Sequence, residues 1–200
     1  MVITRYEGRL GIVSTSRSGS TYFRRYLCNH YGVLDSKSWL KNNLYRDINN
    51  EKFTQSPHLL KILPHYIIGE TNKILTDMPC VWLYRKDIVT QFMSHVARLR
   101  TKVNHITDIK DQPVIEDNSL HATLAEYERF QLKQIEFWQL YDKYGQEEID
   151  DEGYGSEPLI AYEDFLEDPD KIIDELDGWM WWDMYEKEEG NLTLPVPLGI

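Results

Sequence analysis

The stretch GIVSTSRSGSTYF, residues 11–23, passes from an apolar run, Gly11 to Val13, through a loop of small hydroxylated residues around Gly19 and into a segment patterned as a helix. A strand, a small-residue loop and a helix N-terminus in succession form an anion site. The first-turn N–H groups of the helix have no intrahelical partner, and the helix dipole adds partial positive charge there. The stretch therefore predicts one β–loop–α unit of a parallel α/β protein, with an anion at the loop.

Which anion it holds is narrowed by two positions. In the nucleotide loop GxxxxGK[ST] a lysine after the second glycine reaches the outer phosphates. Gly19 is followed instead by Ser20, and the long cation of this loop, Arg17, precedes the glycine. A nucleotide triphosphatase also places an aspartate for Mg²⁺ at the end of a second apolar strand. The best such strand here, within CVWLYRKD (80–87), ends in Arg85. A cation in that place points to direct pairing with a phosphate and to no metal.

Working outward, short apolar runs predict buried parallel strands at 10–14, 58–63, 80–84 and 157–161. Helices are expected between them. One spans 20–31; a second begins at the N-cap Asp87 with Ile88, Phe92, Val96 and Leu99 on its apolar stripe; a third covers 120–144 with Leu124, Tyr127, Trp138 and Tyr141; a last covers 163–177. Strands alternating with helices predict a central parallel sheet flanked by helices, with ligands at the carboxyl ends of the strands, where residues 14–21, Arg85 and Tyr162 fall. Residues 103–119 read as a loop over the site, 145–156 as a surface linker, and the Trp-rich run 179–182 as core or interface.

Two hundred residues, 42% hydrophobic and 28% charged, suit one domain over 1–200. No apolar run is long enough to span a membrane and no signal-peptide pattern opens the chain, so a cytoplasmic protein is expected. Cys28 and Cys80 have no metal-type spacing and are expected as reduced, buried thiols. The net charge of −11 is uneven. Residues 147–189 hold 18 of the 33 acidic residues and only Lys171 and Lys187 as bases, whereas the remainder is net positive by 5. An acidic total argues against nucleic-acid binding, while the rest of the chain can still accept a small polyanion.

Three segments, in order, resemble the sulfotransferases that use 3′-phosphoadenosine 5′-phosphosulfate (PAPS). TSRSGSTY (15–22) is similar to their 5′-phosphosulfate loop, P-[KR]-S-G-[ST]-T. VWLYRKDIVTQFMSHVAR (81–98) resembles their 3′-phosphate motif, and Arg85, Asp87, Gln91 and Ser94 match the pattern R-x-D-x-x-x-Q-x-x-S of the bacterial carbohydrate branch. LIAYEDFLEDPDKIIDEL (159–176) resembles the late Y-E-D strand-to-helix segment. Thr15 stands where the family has proline, and the C-terminal R-K-G-x-x-G segment of cytosolic animal members does not occur in these residues.

The resemblance implies a P-loop nucleotide-hydrolase-like fold and a metal-free transfer of a sulfuryl group from PAPS to a hydroxyl acceptor. It implies that Arg17, the backbone of Ser18, Gly19, Ser20 and Thr21 and the hydroxyls of Ser20 and Thr21 hold the 5′-phosphate. Arg85 and Ser94 would hold the 3′-phosphate, with Tyr22 and Tyr162 beside the adenine. Arg17 and Lys61 would act at the transferred group, and Asp35 or His65 would be the base. A small neutral carbohydrate or glycolipid headgroup is the expected acceptor, because the acidic segment repels acidic polymers. Two other readings fit the loop: a Mg²⁺-dependent small-molecule kinase, and a relative that binds the nucleotide without chemistry.

Overall fold

The computed structural model describes residues 9–35, 58–64, 75, 79–102, 122–146 and 157–187. It is an α/β fold in which every strand pairing among the described residues is parallel. Strands β1 (Arg9–Ser14), β2 (Leu34–Asp35), β3 (His58–Ile62), β4 (Cys80–Tyr84) and β5 (Leu159–Ala161) form one sheet in the order β2-β3-β1-β4-β5. Among the described residues, helices α1 (Ser20–Tyr31), α2 (Ile88–Thr101), α3 (Leu124–Tyr144), α4 (Tyr162–Glu167) and α5 (Pro169–Lys187) accompany it. No helix among the described residues is long and apolar enough to cross a membrane.

β1 lies at the centre because Leu10, Ile12 and Val13 can be buried on both faces. It pairs with β3 in the register Ile12↔Lys61 and with β4 in the register Ile12↔Val81. Side chains alternate between faces, so Leu10, Ile12, Leu59, Val81 and Leu83 share one face and pack with Phe23 and Leu27 of α1 and Ile173 and Leu176 of α5. Val13, Leu60, Ile62, Cys80 and Trp82 share the other, against Phe137 and Tyr141 of α3. Full burial of a side chain such as Phe23 or Leu27 stabilises the fold by about 1.5–3 kcal/mol. Cys28 and Cys80 are both buried.

Several expectations are corrected. On α2, Ile88 and Leu99 are exposed, and the buried positions are Val96 and the polar Gln91. The inner face of that helix meets polar backbone, so an amide serves where an apolar stripe was expected. On α3, Leu124 is 72% exposed and the buried residues are Phe130, Phe137 and Tyr141. This helix starts at Leu124 because Thr123 and Glu126 form a reciprocal capping box. The expected helix 163–177 is two helices. Asp168 stops α4, its side chain accepts from the Lys171 N–H at 3.1 Å, and Pro169 takes the first position of α5, where its missing N–H is harmless. The last strand is shorter than expected, since the Glu157 carboxylate is used to accept from the Cys80 N–H at 2.8 Å and from the Trp82 indole.

Candidate functional site

The chain leaves β1 toward β3 on one side while β4 lies on the other, so the carboxyl end of β1 is where the connections diverge, the place at which open α/β sheets bind ligands. The loop 15–19 sits there. Its backbone is held in two left-handed residues, Arg17 at φ 66° and Gly19 at φ 85°. For a non-glycine residue this conformation is unfavourable by about 1–2 kcal/mol, so Arg17 is held in place by its surroundings. The Ser18 hydroxyl donates to the Thr15 carbonyl at 2.8 Å, turning inward to brace the loop. From α2, the buried Gln91 amide donates to Thr15 Oγ1 at 2.7 Å and to the Ser16 carbonyl at 2.9 Å. One turn on, Ser94 Oγ accepts from Arg17 Nε at 2.9 Å. This bond aims the Arg17 side chain and leaves the Ser94 hydroxyl proton free to donate elsewhere.

Gly19 is the N-cap of α1, with no side-chain cap and no acidic residue in the first turn. α2 and α3 differ: Asp87 caps the Thr90 N–H at 2.9 Å and Thr123 caps Glu126. The first-turn N–H groups of Ser20 and Thr21 thus face the loop with no side chain supplied to cap them. A Cβ at position 19 would overlap the Tyr162 ring, so the loop needs glycine for its dihedral and for its neighbour.

The start of α4 closes the site from the other side. Tyr162 carries the Arg85 guanidinium over its ring at 5.3 Å from the centroid. Glu163 lies 3.5 Å from Arg85 Nε and accepts from the Lys86 N–H at 3.0 Å, and Asp164 pairs with Lys86. Tyr22, 55% exposed, lies on the first turn of α1 with its ring 6.0 Å from that of Phe165. The three sequence segments are therefore one physical unit: Gln91 and Ser94 grip the loop, Tyr162 packs on Gly19, and Glu163 and Asp164 dock on the residues after β4.

The electrostatics of this unit combine burial, the larger effect, with repulsion between like charges. Arg17 is held below the usual guanidinium range by burial, then by Arg98 and Arg85. Lys61, on β3 beside Ile12, is lowered to about 8 by burial, with Arg24, Arg17 and Arg98 adding repulsion. His95 is lowered by burial and then by Lys133, Arg98 and Arg17, against a weaker opposing effect of Glu126. Cations gathered around a half-buried loop are unfavourable in isolation and become favourable once an anion enters.

Of the residues anticipated from sequence, Arg17, Ser18, Gly19, Ser20, Thr21, Tyr22, Lys61, Arg85, Ser94 and Tyr162 all fall at or beside this carboxyl edge. Asp35 ends the edge strand β2, in register with Leu59 of β3, and its side chain lies outside the described residues. His65, the segment 103–119 and residues 147–156 also lie outside them. Sequence reading missed the roles of Gln91 and Glu163 as braces and of Arg24 and Arg98 as members of the cationic group. The signal for Gln91 and Arg98 was available: Gln91, Ser94 and Arg98 recur at helical spacing on one face of α2.

No protein-family model, no curated protein and no solved structure matches this chain.

Proposed function

We propose that the chain is a PAPS-dependent sulfotransferase with a P-loop nucleotide-hydrolase-like fold, transferring a sulfuryl group to a hydroxyl of a small carbohydrate or glycolipid acceptor in the cytoplasm. The observation that carries the reading is the joining of the three segments on one anion loop, where Ser20 replaces the nucleotide-loop lysine and Arg17, Lys61 and Arg85 supply the positive charge instead.

The site suits a donor with two phosphate positions. The uncapped N-terminus of α1 and Arg17 fit the 5′-phosphosulfate, and Arg85 with the Ser94 hydroxyl fits the 3′-phosphate dianion. A guanidinium offers that dianion paired, charge-assisted hydrogen bonds. The exposed Tyr22 and the half-buried Tyr162 offer aromatic surface to the purine. In the reaction the acceptor oxygen attacks sulfur, the bond from sulfur to the bridging oxygen breaks, and the bisphosphate leaves with that electron pair. The acceptor proton passes to a base, for which Asp35 and His65 are the candidates. Arg17, Lys61 and the loop N–H groups stabilise the charge that grows on the leaving phosphate, and they are oriented before it appears.

The test is turnover: the protein is incubated with PAPS and a panel of hydroxylated acceptors, with chelator present, and release of the 3′,5′-bisphosphate is followed. Acceptor-dependent release that is lost in Arg17→Ala and Lys61→Met supports the proposal. Bisphosphate binding without release for any acceptor would make the chain a binding protein, and phosphoryl transfer from Mg-ATP would make it a kinase.

A further inference from the structure

The groups assigned to the two phosphates of the donor stand on different parts of the chain. Arg17 and residues 18–21, assigned to the 5′-phosphate, belong to the loop and helix that follow β1. Arg85 and Ser94, assigned to the 3′-phosphate, belong to the turn and helix that follow β4. The register between β1 and β4 ends at Ser14↔Leu83, before either half-site begins. From there on, side chains join the halves. Arg17 and Ser94 do so directly, and both are placed against the ligand, while Tyr162 packs on Gly19 and carries Arg85 over its ring.

Gln91 joins the halves from behind. It is fully buried, and its amide donates to Thr15 Oγ1 at 2.7 Å and to the Ser16 carbonyl at 2.9 Å. Its own backbone N–H donates at 3.1 Å to the carbonyl of Asp87, two residues after Arg85. Thr15 is held a second time, because its carbonyl accepts from the Ser18 hydroxyl at 2.8 Å. The threonine hydroxyl matters here: a proline, which the resembled family has at this position, offers the amide no side-chain acceptor. Gln91 Oε1 is buried with no partner among the described residues. An unpaired buried acceptor works against stability, so what the amide contributes lies in its two donors.

We propose that Gln91 is a positioning residue that sets the distance between the two phosphate half-sites, so that the site selects a nucleotide phosphorylated at both the 3′ and 5′ positions over one phosphorylated at the 5′ position alone. The inference rests on the sulfotransferase reading of the site. A ligand that spans two sites gains from both only where their separation matches its own, and a spacing fixed beforehand removes the cost of ordering them on binding. A single phosphate is indifferent to that spacing.

The experiment titrates the full chain calorimetrically, in chelator, with adenosine 3′,5′-bisphosphate and with adenosine 5′-monophosphate, and reads the ratio of the two dissociation constants. In the wild-type chain the bisphosphate should bind about 10- to 100-fold more tightly, as one charge-assisted contact provides. Gln91→Ala should shrink that ratio about 3- to 10-fold, the effect of one or two neutral hydrogen bonds, and Thr15→Val should shrink it in the same direction. Thr15→Ser keeps the acceptor oxygen and should keep the ratio. A wild-type ratio near one, or weakening of both ligands by one common factor in Gln91→Ala, overturns the inference and leaves the donor assignment standing. If Gln91→Ala does not fold, Thr15→Val decides by the same criterion, since valine keeps the branched shape of threonine. Failure of the wild-type chain to bind the bisphosphate at all removes the sulfotransferase reading and this inference with it.

Discussion

Arg17 Nε donates to Ser94 Oγ across 2.9 Å, linking a loop residue at φ 66° to the second turn of α2, 77 positions away. The bond opposes the backbone preference of Arg17 and aims its guanidinium along the site.

This relationship separates side-chain from backbone effects at position 17. Arg17→Gly and Arg17→Ala both remove the cation and the bond to Ser94. Glycine accepts φ 66° without strain, so the Gly variant should be more stable than the Ala variant by about 1 kcal/mol, with equally poor bisphosphate binding. Chemical denaturation of the two variants measures the difference. Equal stabilities would show that the loop relaxes out of the left-handed conformation.

Gly19→Ala should be destabilising by roughly 2–4 kcal/mol, because it adds backbone strain at φ 85° to a Cβ overlap with the Tyr162 ring. Adding Tyr162→Ala removes the overlap but not the strain. The double variant should therefore fall short of the summed single effects by about 1 kcal/mol or more in a double-mutant cycle. Additivity would mean that the ring and the glycine do not meet.

Much of this arrangement can be read from the sequence, and the failures have physical causes. The runs Leu10–Val13 and Cys80–Leu83 announce buried parallel strands because each is too short for a buried helix, and residues 20–31 form the expected helix. The two-residue strand Leu34–Asp35 carries too little pattern to be seen. The inner face of α2 was misread because Gln91 packs on Thr15 and Ser16, where a hydrogen-bonding side chain satisfies buried backbone better than a hydrocarbon does. The break between α4 and α5 was written in Asp168-Pro169, an N-cap and first-turn pair that apolar periodicity runs straight through. The cationic group was legible only in part, since Arg24 and Arg98 come near Lys61 through tertiary packing alone.

Lys61 gives the site a pH dependence of defined sign. In the free protein it loses its proton near pH 8, below the ordinary lysine value of 10.5, because it is buried among cations. The unfolded chain binds more protons between those values, so Lys61 makes the unliganded fold more stable as pH rises through that window. A bound anion restores the proton. Bisphosphate affinity should then fall as pH rises above about 8, by up to about tenfold per unit, and be independent of Lys61 titration below it. Calorimetry in buffers of different ionisation enthalpy should detect proton uptake at about pH 9, absent in Lys61→Met. Affinity unchanged across the window would place Lys61 outside the anion site.

Arg85→Ala should weaken the 3′,5′-bisphosphate by about 1.5–3 kcal/mol and leave the 5′-monophosphate nearly unchanged, because only the former carries the group assigned to Arg85. Losing the partly exposed pair with Glu163 contributes at most about 1 kcal/mol to stability. Competition titrations with both nucleotides supply the comparison. Equal weakening would assign Arg85 to the phosphate that the two ligands share.

The most direct test of the central claim is a thermal-unfolding titration of the full chain in chelator, with the 3′,5′-bisphosphate in one arm and Mg-ATP in a parallel arm without chelator. The bisphosphate at a hundred times its dissociation constant should stabilise the fold by about 2.7 kcal/mol with no divalent metal, and Mg-ATP at the same concentration should do far less. Stabilisation by Mg-ATP, with none by the bisphosphate, would contradict the account.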